Sequence, residues 1–162
     1  MVILRGTQKL RQRLPAADAT AEAASTTVLG DWTCHLARFG RVQVIICMSH
    51  ETLLPILLPA RQAQTFPRRL TEAVAAWLAT MGVPELDIAR EVAAMETYVI
   101  APTNNRQVLG SLNDFVRTGT YYVESGEPAH LLTVSRHLAK APCKPIGYLS
   151  PDRAVAAAFG LK

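Results

Sequence analysis

The chain has 162 residues, 49% of them hydrophobic and 19% charged, with a formal net charge of +4. These fractions exclude an intrinsically disordered chain and suit one α+β domain that buries a core without covalent staples. No apolar run spans a bilayer, because the best stretch, Leu53 to Ala60, is short and is cut by Pro55 and Pro59.

The N-terminus places its apolar residues ahead of its charges, the reverse of an export signal. Three cysteines, Cys34, Cys47 and Cys143, are too few and too odd in number for a disulfide framework. They point to a reducing, cytoplasmic setting, and the short apolar runs point to no membrane partner. Cys47 and His50 form a lone C-x-x-H, half of a zinc site without its other half, so neither metal nor cofactor is expected.

In chain order, Val2-Ile3-Leu4 reads as a short strand. Thr7 caps a brief helix from Gln8 to Leu14, stopped by Pro15. The first fourteen residues hold Arg5, Lys9, Arg11 and Arg13 and no acid, so the rest of the chain sums to zero charge. Residues 16–27, rich in Ala and Thr, read as a mobile loop. A meander follows: a strand from Val28 to Phe39, a turn at Gly40, a strand from Val42 to Met48, and a third from Thr52 to Leu58. Pro55 places that third strand at an edge or a bulge.

Leu70, Val74, Trp77, Leu78 and Met81 then recur at helix spacing up to Gly82. A second helix runs from Pro84 to about Glu96, and Thr97 to Ala101 forms a strand. A long helix starts near Asn105 and continues to Val123, broken by Ser125 to Pro128. His130 to Ala139 is a shorter helix, residues 141–145 are extended, and Ser150-Pro151-Asp152 opens a closing helix. Strands first and helices later predict an antiparallel or mixed sheet of about five strands, with helices mainly on one face.

Two segments hold the densest polar signal. Asn104-Asn105-Arg106 lies where a strand passes into a helix, and free N–H groups there favour an anion. Ser111, Asn113 and Asp114 follow about two turns in, able to line the same site. The alternative is a structural cap. In Leu29-Gly30-Asp31-Trp32, Asp31 and His35 share one strand face and could form a general acid–base pair, with Trp32 on the other face.

Several stretches together resemble a known family: T-Q-K-L (Thr7 to Leu10), L-G-D-W (Leu29 to Trp32), T-N-N-R-x-V-L-G-S-L-N-D-F (Thr103 to Phe115), P-C-x-P (Pro142 to Pro145) and S-P-x-x-A (Ser150 to Ala154). They resemble an uncharacterised bacterial family of domains of unknown function, sometimes joined to plasmid-type modules. The resemblance implies one whole domain and a bacterial or mobile-element setting, and it supplies no reaction.

The leading functional expectation is a binding module for an anionic partner, nucleic acid first and an acidic protein next. Arg5, Lys9, Arg11, Arg13, Asn104, Asn105 and Arg106 would form its surface. The alternative is a phosphate-ester hydrolase or ribonuclease-like toxin, with His35 as acid or base, Asp31 orienting it and Arg106 stabilising charge. A protein-interaction subunit is the third reading.

Overall fold

Trp32, Cys34 and Leu36 alternate with Thr33, His35 and Ala37 along one eight-residue strand, and this alternation divides the molecule into two cores. The structure, a computed structural model, describes residues 1–14, 24–124 and 130–162. Its elements are β1 (Val2–Gly6), α1 (Gln8–Arg11), β2 (Trp32–Phe39), β3 (Val42–Ser49), β4 (Pro55–Pro59), α2 (Phe66–Thr80), α3 (Glu85–Glu96), β5 (Tyr98–Pro102), α4 (Arg106–Glu124), α5 (Leu131–Leu138) and α6 (Pro151–Ala158). Among the described residues, no helix is long and apolar enough to cross a membrane.

The five strands form one mixed sheet in the order β4-β3-β2-β1-β5. β2, β3 and β4 are an antiparallel meander, whereas β1 runs parallel to both β2 and β5. The fold is therefore α+β, with the mixed five-stranded sheet that the element order predicts.

Helices cover both faces of that sheet rather than mainly one. On the first face, Trp32, Cys34, Ile45 and Cys47 pack with Leu10 of α1, with Leu70, Val74 and Trp77 of α2, and with Met95 of α3. On the second face, Phe39, Val44, Ile46 and Met48 pack with Val108, Leu112 and Phe115 of α4 and with Val134 and Leu138 of α5. The cause is in β3, where residues 44–48 are apolar on both faces. Leaving either face wet would cost about 1.5–3 kcal/mol per large side chain.

Pro55 opens β4, and β4 is an edge strand, as the proline requires. Its edge is covered: the Leu57 N–H donates to the buried Ser135 Oγ of α5 at 3.1 Å.

The strand expected from Val28 begins four residues later, at Trp32. Gly30 adopts a left-handed φ of 73°, and the Val28 and Leu29 N–H groups donate to the Glu91 carboxylate at 2.7 and 3.1 Å rather than to a strand. Of the loop expected to be mobile, residues 16–23 lie outside the described residues. Residues 24–27 are pinned: the Ile3 N–H donates to Ser25 Oγ at 2.9 Å and the Thr26 N–H to the Met1 carbonyl at 2.8 Å. Residues 141–145, expected to be extended, run into a 3₁₀ turn at Lys144–Ile146, closed by Gly147 at φ 66°. The predicted break at Ser125 to Pro128 falls outside the described residues.

Candidate anion-binding site

The meander brings three chain segments to one end of the sheet. β2 ends at Arg38 and Phe39, the turn adds Arg41, and β4 delivers Arg61 just beyond Pro59. Arg13, following α1, approaches the same place on the first face, where its Nη1 donates to Gln43 Oε1 at 3.3 Å. Arg13, Arg38, Arg41 and Arg61 line a cleft of about 450 Å³ with Val42, Gln43, Pro59 and Ala60. Among the described residues, no carboxylate lines it.

The ion pairs among the described residues are Arg5–Asp31, Arg68–Glu72, Arg90–Asp87 and Arg117–Asp114, none of them in this cleft. The loop carrying Arg61 is braced by Arg69, whose Nη1 donates to the Pro59 carbonyl at 2.8 Å and whose Nη2 donates to the Arg61 carbonyl at 2.7 Å. Four arginines thus line one cleft from a turn, two strand ends and a helix exit. Each offers a planar fork of donors suited to phosphate or carboxylate.

A second cleft, of about 500 Å³, lies at the far end of β2 and has the opposite electrostatic character. Arg5, Ser25, Asp31, His50 and Glu51 line it. Arg5 Nε donates to Asp31 Oδ2 at 2.5 Å, Ser25 Oγ donates to Asp31 Oδ1 at 2.6 Å, and His50 Nε2 lies 2.8 Å from Thr33 Oγ1. Burial lowers the pKa of His50, with Arg5 adding to the effect and Asp31 opposing it. Arg5 and Asp31 neutralise each other here, and Glu51, in no ion pair among the described residues, leaves the lining with a formal charge of −1.

A family model described as a domain of unknown function (DUF6933) matches residues 3–154. The chain belongs to this family. No curated protein and no solved structure matches the chain. The span matched by DUF6933 contains both clefts, so each is built within the domain itself.

Within this DUF6933 chain, the residues singled out by sequence disperse. Arg13 enters the arginine cleft, whereas Arg5 turns to Asp31 and Arg11 Nε donates to the Gly6 carbonyl at 3.2 Å. Lys9 is exposed on α1, near enough to His35 that its charge and the ring's burial, burial first, lower the His35 pKa. His35 Nδ1 lies 3.1 Å from Thr7 Oγ1, and both Asp31 carboxylate oxygens are engaged by Arg5 and Ser25. The proposed acid–base pair is therefore partnered elsewhere on both sides.

Asn105 is a structural cap: its Oδ1 accepts the Gln107 and Val108 N–H groups at 3.0 and 3.1 Å, so these N–H groups are already satisfied. Asn104, Arg106 and Asn113 are exposed, Ser111 is half-buried, and exposed Asp114 accepts from Arg117 at 2.9 Å. Trp32 is wholly buried in the first-face core and lines neither cleft. Arg5 does link the two polar motifs, because its Nη1 also reaches the Pro102 carbonyl just before Thr103-Asn104-Asn105.

The C-x-x-H pair is split across the sheet: Cys47 faces the first core opposite Cys34, and His50 meets Thr33 on the other side. Burial raises the Cys47 thiol pKa well above its usual range. Sequence reading missed Arg38, Arg41 and Arg61. The Arg-Phe-Gly-Arg hairpin is the one local signal that places two of them at a common tip.

Proposed function

We propose that this protein binds a phosphate-rich partner, nucleic acid before acidic protein, in the cleft of Arg13, Arg38, Arg41 and Arg61. The observation that carries this reading is four arginines lining one cleft with no carboxylate lining it among the described residues. Like charges held together in this way repel, and an anion that bridges them relieves the repulsion and gains charge-assisted hydrogen bonds. Phosphate suits the fork geometry of arginine and comes in repeating arrays on a nucleic acid. The three buried free thiols fit a reducing, cytoplasmic setting where nucleic acid is at hand.

Fluorescence anisotropy with labelled oligonucleotides across a salt series tests the reading. Binding is expected to be strong at low salt and to weaken as salt rises, with a log–log slope of about −0.7 to −0.9 per phosphate contact. The triple substitution Arg38→Ala, Arg41→Ala, Arg61→Ala should flatten that slope by about two to three units and remove most of the affinity. Absence of binding by the unsubstituted protein at low salt rejects the proposal.

A further inference from the structure

Cys34 on β2 stands directly opposite Cys47 on β3. Both belong to the first-face core, with 1% and 0% of their surfaces exposed. The backbone hydrogen bonds fix the kind of pair they make. The Cys34 carbonyl accepts the Thr7 N–H at 3.0 Å, on the side of β2 away from β3. Toward β3, the Asp31 carbonyl accepts the His50 N–H at 2.8 Å, so residues 31, 33 and 35 are those bonded to β3. Cys34 and Cys47 are therefore a non-hydrogen-bonded pair, the closer of the two kinds, with Cα atoms about 4.5 Å apart. A disulfide spans roughly 4.4–6.8 Å between Cα atoms, so bridging the two requires no movement of the backbone. Cys143 packs in the second-face core, and the sheet stands between it and this pair.

We propose that Cys34 and Cys47 are a redox site that closes as a cross-strand disulfide, with a low-molecular-weight disulfide as the oxidant. One cysteine thiolate attacks a sulfur of the oxidant, breaks its S–S bond and releases one thiol, leaving a mixed disulfide on the chain. The opposite cysteine, as a thiolate, then attacks the chain's own sulfur, forms the Cys34–Cys47 bond and releases the second thiol. The chain loses two protons and two electrons, and the oxidant gains them.

Burial first, and then a hydrogen bond between the two thiols, raise the Cys47 pKa well above its usual range. Both thiols are enclosed in the fold, so the first step belongs to chains that are folding or whose β2–β3 pair has opened. Under a reducing poise the pair stays as thiols. Under an oxidising one the bond forms as the hairpin closes, and it ties β2 to β3 behind the tip that carries Arg38 and Arg41.

The test refolds the reduced full chain from urea in a mixture of reduced and oxidised glutathione. Trypsin cleaves after Arg38 and Arg41, so residues 14–38 and 42–61 separate unless a disulfide joins them. These two peptides are expected to be linked, Cys143 to be free, and the chain to be lighter by two hydrogen atoms. The urea midpoint of the linked chain should exceed that of the reduced chain and fall back when dithiothreitol is added. Cys34→Ala should abolish both the link and the rise, whereas Cys143→Ala should leave both in place. If all three cysteines stay free or carry glutathione, if Cys143 joins the link, or if the linked chain unfolds at lower urea than the reduced one, the inference is overturned. None of these outcomes bears on the arginine cleft.

Discussion

Two clefts of similar size use arginine in opposite ways. Near the start of β2, Arg5 is held by Asp31, Asp31 by Ser25, and the pair is only 16% and 17% exposed. Near the other end of that strand, Arg38, Arg41 and Arg61 line a cleft that no acid lines among the described residues. An internally paired, half-buried cation holds a structure together; an unpaired cation on a rim is available to something else. Residue type alone does not separate these roles, and the partner within reach does.

The sharpest way to break the comparison is to remove Asp31. Asp31→Ala leaves the Arg5 guanidinium largely buried and uncompensated and deprives Ser25 of its acceptor. Breaking a fully buried pair costs about 3–5 kcal/mol, and partial exposure reduces that to about 2–3 kcal/mol here. Urea denaturation should show this loss, and Asp31→Ala combined with Arg5→Ala should cost less than the two single substitutions added together. Additive losses would mean that the pair is not coupled and that the two clefts do not differ as described.

Much of this contrast was unreadable from sequence, for physical reasons that differ by residue. Strand and helix periods were legible because burial imposes them: the apolar stripe of α2, the edge proline of β4 and the hairpin at Gly40 all stand where expected. Two-sided burial of the sheet was also written in the unbroken apolar run of β3, although strand order alone suggested one covered face. Arginine partners were not legible, because they join residues far apart in the chain. Arg5 finds Asp31 across β1 and β2, and Arg13 lines the same cleft as Arg61, a residue far along the chain.

Glu91 shows the same limit. Periodicity marks its helix, and only the fold shows that the residue is 2% exposed and that its carboxylate holds the Val28–Leu29 turn, with burial raising its pKa.

A smaller effect sharpens the contrast through pH. Both His35 and His50 have pKa values lowered chiefly by burial, His50 in the paired cleft and His35 beside Lys9. A histidine with a lowered folded pKa favours its neutral form in the fold. Its contribution is complete above the ordinary value of 6.5 and is lost as pH falls below it, because the unfolded chain takes up the proton first. Glu91 acts with the opposite sign, since a raised carboxyl pKa favours the fold as pH falls toward the ordinary 4.5. Denaturation midpoints should therefore decline from neutral pH to mildly acidic pH, and His50→Gln should flatten part of the decline. A midpoint that stays level through that window in the unsubstituted protein contradicts the neutral, buried state of both rings.

The smallest expected effect is at the arginine cleft itself. Arg38, Arg41 and Arg61 are exposed and join no ion pair among the described residues, so replacing any one by Ala should move folding stability by no more than about 0.5 kcal/mol. The sign carries the information. Removing one of several mutually repelling cations relieves repulsion, so thermal melts should show a slight gain at low salt that fades as salt screens the charges. A clear loss of stability from Arg38→Ala would mean that this guanidinium is structurally engaged, as Arg5 is. The cleft would then be a second paired site rather than a surface left open for an anion.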